Sequence, residues 1–512
     1  MKFHGVALLL ALAPGGVGAQ IIDTVIVESD NVFDDSDRSF PARWANALHI
    51  TTSPWVVRRA ILERPGEPYD SARAAESARN LRALGVFRSA TLDTLRLGDR
   101  LALLVRTADG WSTKPIAAIS STDGSTAWVL GFREENLIGS ATTFGYAYRS
   151  TPDREGYDIE FVNPQFVTRG VLVDLRYRRY SDGRRAQWAA GQPFREGRSP
   201  WAAVTYGVDG RERMLVYRDG VLDQSAKRFQ TIVGARAGVA LKATSRGYVR
   251  AWVDAMWRRE DYTADTASVA PHSAFGAVGA GVEAARVRLK VVHHWNSFGR
   301  PEDVDLSTVL RVGAWVAPRA WGYPDSSAGV GPDIAVQVGF PWRNGFGVVR
   351  AGGRGIFGPA GLDSGRATAS LLLATQALRR QTLVLFVEGA AAANPAPGGE
   401  YDLWLIDRGP RLFGIHAFSG TRFAWGTVEH RVVISPEWLG VVGLGAAPFV
   451  DYGGAWYADQ SPRVGGDAGL ALRFGSTRSV GGGVFELAGG YRFGEGWTDR
   501  RWAATFRSGL RF

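Results

Sequence analysis

Hydrophobic and polar positions alternate in steps of two along most of the chain, from about Ala127 to the carboxyl terminus. Phe144, Tyr146 and Tyr148 alternate with Gly145 and Ala147, and Val173, Leu175 and Tyr177 alternate with Asp174, Arg176 and Arg178. Late in the chain, Phe485, Leu487 and Tyr491 alternate with Glu486, Ala488 and Arg492. A strand reverses its side-chain direction at every residue, so each run presents one apolar face and one polar or small face. Polar, Gly- and Pro-rich breaks such as Ser181 to Gly183, Ala396 to Gly399 and Gly494 to Gly496 read as hairpin turns. The pattern predicts a mainly β chain whose residues 124–512 form a transmembrane antiparallel β-barrel. Roughly sixteen strands of about ten residues fit that length. Paired runs at 201–218 and 274–295 are read as loop hairpins outside that count.

The final twelve residues show the pattern most clearly. Trp502, Ala504, Phe506, Ser508, Leu510 and Phe512 share one face, and Arg501, Arg507 and Arg511 lie on the other. Such a segment suits a closing strand with aromatic groups in lipid and guanidinium groups in a wet lumen. The edge of a soluble sandwich is the competing reading.

The segment ahead of the barrel, residues 20–115, has a different period. A β-rich run at 21–28 is followed by a polar insertion at 29–47. Ser53 and Pro54 then open a helix carrying Val56, Val57, Ala60 and Ile61. Asp70 caps a second helix with Ala74, Ala78 and Leu81 on one face, and Gly85 ends it. Runs at 86–95 and 100–107 complete a β-α-α-β-β order, a small α+β unit.

Composition narrows the compartment and the chemistry. The 512 residues include 64 glycines, 18 tryptophans and no cysteine, which excludes disulfides and thiolate metal sites. The net charge of +10 is carried by arginines spaced along strands rather than clustered in blocks, which argues against nucleic acid. Outer-membrane lipid and lipopolysaccharide are more natural counterparts. Residues 1–19 read as an export signal: Lys2 and His4, an apolar run, then Val17, Gly18 and Ala19 as a cleavage site. No later stretch offers about eighteen consecutive apolar residues, so a membrane would be crossed by strands. Gly353, Gly355 and Gly358 match a dinucleotide fingerprint but lead to Pro359 instead of a helix. His293 and His294 are neighbours and would point to opposite faces of a strand. No enzyme, cofactor or metal reading survives.

Several stretches carry a family resemblance. Residues 64–70, with Gly66, Tyr69 and Asp70, and residues 79–87, ending in Gly85 and Phe87, resemble the signature of a polypeptide-transport-associated (POTRA) domain. Glu134, Glu135, Asn136, Leu137 and Gly139 look like the turn after the first barrel strand in the BamA/TamA family, which would place that strand at 127–133. Residues 418–431 resemble the return of that family's long sixth loop, and Phe449, Asp451, Gly453 and Trp456 match the next strand. About five strand-like runs follow Gly420, as the family topology implies.

The resemblance implies that the sixth loop enters the lumen and presents an arginine to two carboxylates, here Glu429 and Asp451. The matching loop positions read Leu412, Phe413, Gly414 and Ile415, without an arginine in register. Arg411, or failing that Arg422, would have to supply the charge, because adjacent buried carboxylates repel unless a guanidinium is shared between them. The family implies a bacterial outer-membrane location with the N-terminal domain in the periplasm. It also implies insertion of proteins into that membrane or translocation of polypeptides across it, with client polypeptides and periplasmic chaperones or accessory proteins as partners. The mechanism it implies uses the seam between the first strand and Trp502 to Phe512. A two-partner-secretion transporter, which usually carries two such domains and a plug helix, and a passive pore without clients are the alternatives.

Overall fold

The computed structural model describes residues 20–509 except 35, 169, 265–271, 326, 405–407 and 482. The export signal at 1–19 and the terminal Leu510, Arg511 and Phe512 lie outside the described residues.

The N-terminal unit runs β1 (Ile22–Asp30), α1 (Phe40–Leu48), α2 (Pro54–Ala60), α3 (Ser71–Ala83), β2 (Phe87–Leu97) and β3 (Arg100–Asp109). Its sheet has the order β1-β3-β2, with β1 parallel to β3 and β2 antiparallel. Val56, Val57, Leu81, Phe87, Leu103 and Val105 form its apolar core. Gly66 and Gly85 take the left-handed backbone that a turn and a helix end require. Tyr69 packs on the core, and Phe87 is buried in it. The Asp70 carboxylate accepts from the Ala72 and Arg73 amides, a working N-cap. Two expectations need correction. Ser53 occupies the N-cap position of α2 without a side-chain cap, its amide instead donating to the Gly139 carbonyl. The supposed polar insertion holds helix α1, whose buried Ala42 packs with Val32 and Phe33 while Phe40 and Trp44 stay exposed. The exposed aromatics hid the helical period from a search for one buried face.

Among the described residues, twenty antiparallel strands close into one barrel, not the expected sixteen or so. Trp201–Arg218 and Ser273–Arg286, set aside as loop hairpins, are wall strands paired on both sides. Leu289–Val292 and Glu302–Asp305 form a hairpin separate from the wall. The first barrel strand is Thr113–Thr122, so the barrel begins before Gly124, and the strand containing 127–133 (Ser125–Glu134) is the second. The run Pro115-Ile-Ala-Ala-Ile119 lacks clean alternation because alanine serves either face equally well. Closure satisfies backbone groups around the ring, and Leu130, Val253, Ile334, Val450 and Leu487 expose apolar side chains outward. Lumenal positions carry Asp254, Glu429, Asp451 and Arg492, all buried. The barrel is apolar outside and charged within, an outer face suited to lipid around a polar interior.

The N-terminal unit sits against one mouth, called proximal below. Asn136, in the turn read as the family's signature, donates to the Ile50 carbonyl and the Thr52 hydroxyl at 3.0 Å each. Arg59 donates to the carbonyls of Gln165 and Val167, and Glu76 accepts from the Gly197 amide. Arg82 pairs with Asp303 of the separate hairpin at 2.7 Å. That hairpin enters the proximal mouth: Trp295 and Leu306 bury against Phe346, Val348 and Val384 of the wall.

Candidate functional site

The lumen is filled from the distal mouth as well. The segment between wall strands Gln381–Ala393 and Arg422–Trp438 folds inward, held by a short pairing of Tyr401–Leu403 with Phe418–Gly420. Its inner tip carries Arg411, which is fully buried. The facing wall consists of Arg422–Trp438, Val442–Trp456, Gly465–Ser476 and Val484–Gly494, joined in that order. Period-two alternation sends Thr427, Glu429 and Arg431 of the first strand inward, with Asp451, Asp467 and Glu486 from the next three.

Arg411 satisfies these groups in several directions. Its Nε donates to Asp451 Oδ2 at 2.8 Å, and its Nη2 donates to Asp451 Oδ1 at 3.1 Å. The same Nη2 donates to Glu429 Oε2 at 2.9 Å, and Nη1 reaches Glu486 Oε1 at 3.3 Å. The Arg411 amide also donates to Asp451, and the Leu412 amide donates to Asp467 at 2.9 Å. The guanidinium lies 3.7 Å over the Phe449 ring, which covers one of its two faces. Side-on approach to one carboxylate with a bond to a second uses the planar donor fork that arginine has and lysine lacks. The carboxylates are shared further: Arg431 Nε donates to Glu429 Oε1 at 2.6 Å, and Arg507 donates to Glu486 at 3.4 Å. Removing one partner from such a buried set costs about 3–5 kcal/mol, because the charges left behind have lost their water.

The four loop positions next to Arg411 pack rather than pair. Leu412 is buried with Ala447 and Phe449. Phe413, which stands where the family pattern has its arginine, packs 5.0 Å from Phe418 and joins Phe423 and Trp425. A Cβ on Gly414 would come within 2.8 Å of the Thr122 hydroxyl, so a larger residue there would have to push that side chain of the first strand aside. Ile415 rests on Ala127 and Trp404. Arg422, the alternative donor, is exposed at the start of its strand and bonds neither Glu429 nor Asp451.

Sequence reasoning missed Glu486 and Asp467 as members of the cluster. Each is a single inward acid in an alternating strand, and only the register of four strands brings them to one loop tip. It also missed the fastening above the cluster. There the His416 ring nitrogens lie 2.5 Å from Asp402 and 2.8 Å from Asp153, and the ring stacks on Tyr217 with centroids 3.5 Å apart. The two carboxylates raise the His416 pKa from 6.5 to about 9 against the opposing effect of burial.

The barrel seam is the second element of the site. Among the described residues, only Thr505 with Ser120, Phe506 with Ile119, and Arg507 with Ala118 pair the last strand, Trp502–Ser508, to the first. One further bond runs from the Ala117 amide to the Ser508 hydroxyl. Phe506 stacks outward on Phe485, and Trp502 meets Tyr491 edge-on, so these aromatics lean away from the seam onto the preceding strand.

No family model and no curated protein matches the sequence. Among solved structures, the chain is similar to BamA from Haemophilus ducreyi lacking POTRA domains 1–3, at 10% identity over 94% of this chain and 84% of that one, with a TM-score of 0.40. CdiB from Escherichia coli gives 9% identity over 96% and 76%, with a TM-score of 0.48. The siderophore receptor PirA from Pseudomonas aeruginosa gives 12% identity over 80% and 82%, with a TM-score of 0.39. Barrels of different activities thus match comparably, and likeness at these scores carries no functional argument.

Proposed function

We propose that the chain is an outer-membrane barrel of the BamA/TamA type that assists insertion of proteins into that membrane or passage of polypeptides across it. The observation that carries this reading is Arg411, held between Asp451 and Glu429 at the tip of an inward-folded loop. It performs the charge sharing that the sequence resemblance requires, from one position before the motif. In this reading the N-terminal unit is POTRA-like and faces the periplasm, where it captures an extended chain. No covalent chemistry is needed. The short ladder between Thr113–Thr122 and Trp502–Ser508 supplies the working edge. Backbone groups freed there can pair with an incoming strand, and the new hydrogen bonds replace those surrendered.

The test is reconstitution of the full chain in lipid vesicles with an unfolded outer-membrane barrel as client. Membrane insertion, read as heat-modifiable migration of the client, should be accelerated over empty vesicles. A large steady conductance with no acceleration of any client would replace this reading with a passive pore.

A further inference from the structure

A cavity of about 420 Å³ lies where the N-terminal unit, the lumenal hairpin and two proximal turns of the barrel meet. Three arginines line it: Arg88 from β2, Arg300 from the hairpin tip, and Arg478 from the turn after Gly465–Ser476. Arg478 is already engaged, pairing with Glu437 at 2.8 Å and donating to the Gly440 carbonyl. Glu302 is engaged as well, accepting from the Asn296 and Ser297 amides and the Ser297 hydroxyl.

Arg88 and Arg300 differ from their neighbours. The Nε of each is buried without a hydrogen-bond partner, and neither forms an ion pair among the described residues. The acids that influence them act from a distance: Asp30, Glu437 and Asp34 on Arg88, and Glu302 and Glu135 on Arg300. Of these, Glu135 is bound to Lys114 and Asp34 to Ser36. Burial lowers the pKa of both arginines, and Arg478 lowers that of Arg88 further. Two partly buried guanidinium groups with donors unspent leave the cavity short of an acceptor.

We propose that this cavity is a subsite for a carboxylate of an extended peptide, clamped between Arg88 and Arg300. The proposal rests on the polypeptide-handling function proposed above and gives it a chemical preference. Arg88 is the extra residue of a bulge between Phe87 and Ser89, and such bulges re-aim a side chain out of the ladder. β2 is also an outer strand of its sheet, and among the described residues no strand pairs with its other edge. A chain added along that edge would carry its side chains past Arg88. Asn296, Ser297, Thr477 and Ser479 give the cavity an amide and hydroxyl lining suited to a peptide. A lipid phosphate would bring acyl chains, and the apolar Phe298 and Val484 are already packed together with Val433.

The test uses the full chain in detergent and a fluorescent ten-residue Thr/Val peptide with a central glutamate, compared with its glutamine counterpart. The glutamate peptide should bind at least about tenfold more tightly, the range expected for hydrogen bonds to a charged group. Arg88→Gln and Arg300→Gln should each erase that preference, and Arg88→Lys should restore part of it. Heat-modifiable migration of each variant reports that the barrel has formed. Equal affinity for the two peptides, or a preference that survives both glutamine substitutions, overturns the proposal. So does Arg88-dependent binding of short-chain phosphatidylglycerol that displaces the glutamate peptide, which would make the site a lipid headgroup subsite. Because binding is read directly, a failure here leaves the vesicle insertion result standing, and a failed insertion assay leaves this result standing.

Discussion

Two walls of the same barrel are built to opposite specifications. Trp201–Arg218 and Val221–Thr244 pair along the full length of the shorter strand, from Trp201 with Val239 to Arg218 with Val221. Among the described residues, the first and last strands share three residue pairs. Backbone pairing alone would make the seam the first place to open. Yet the strands leading up to it, Val442–Trp456 through Val484–Gly494, supply three of the four acids that hold Arg411 and Leu412. The long-paired wall stands by its ladder, whereas the seam side is braced from within by charge. Weak pairing at one joint is tolerable when the neighbouring strands are tied to something other than that joint.

Removing the internal tie should have the largest effect. Arg411→Glu places a fifth carboxylate among Asp451, Glu429, Glu486 and Asp467, a change expected to exceed about 5 kcal/mol and abolish barrel assembly. Loss of the heat-modifiable band checks this, and unchanged assembly would mean that the seam side needs no brace. Next, the seam can be closed covalently, since the chain has no cysteine of its own. An Ile119→Cys, Phe506→Cys pair should, when oxidised, stop client insertion while adding about 2–4 kcal/mol to barrel stability. Ala203→Cys with Ala237→Cys, a register pair in the long-paired wall, should leave insertion unchanged. Activity that survives the seam cross-link would rule out opening there.

The smallest effect concerns His416, which fastens the inward loop near the distal mouth. Its folded pKa of about 9 lies above the ordinary 6.5, so its contribution is complete below about pH 6.5 and is lost as pH rises through about 9. About 2 kcal/mol of thermal stability should disappear over that window, allowing for the partial exposure of Asp402. His416→Gln should flatten that part of the pH profile, and an unaltered profile would assign the loss to other groups.

One side of this contrast was partly legible in the residues, whereas the long-paired wall was not, since 201–218 reads as a loop hairpin. Alternation alone sends Glu429 and Asp451 inward, whereas Arg411 came into view, beside Arg422, only through the family resemblance of the loop at 412–415. The signature turn at 134–139 was readable as a turn, but the hold of Asn136 on the N-terminal unit was not. Strand number was not, because Ala117 and Ala118 suit either face and loop hairpins have the same period as wall strands. Convergence of Asp467 and Glu486 on the same loop tip depends on the stagger between strands, which no single strand encodes. The unspent donors of Arg88 and Arg300 appear only once three separate segments have met.

Glu429 has a second consequence. One of its oxygens is held by Arg411 of the loop entering from the distal side, and the other by Arg431. Arg431 in turn grips the Trp295 carbonyl and Asn296 of the hairpin entering from the opposite side. The two stoppers therefore share one carboxylate among their fastenings, and withdrawing either strips a partner from a charge that helps secure the other. Departure of one stopper should therefore ease departure of the other, so barrels cleared from one mouth alone should be rarer than independent release predicts.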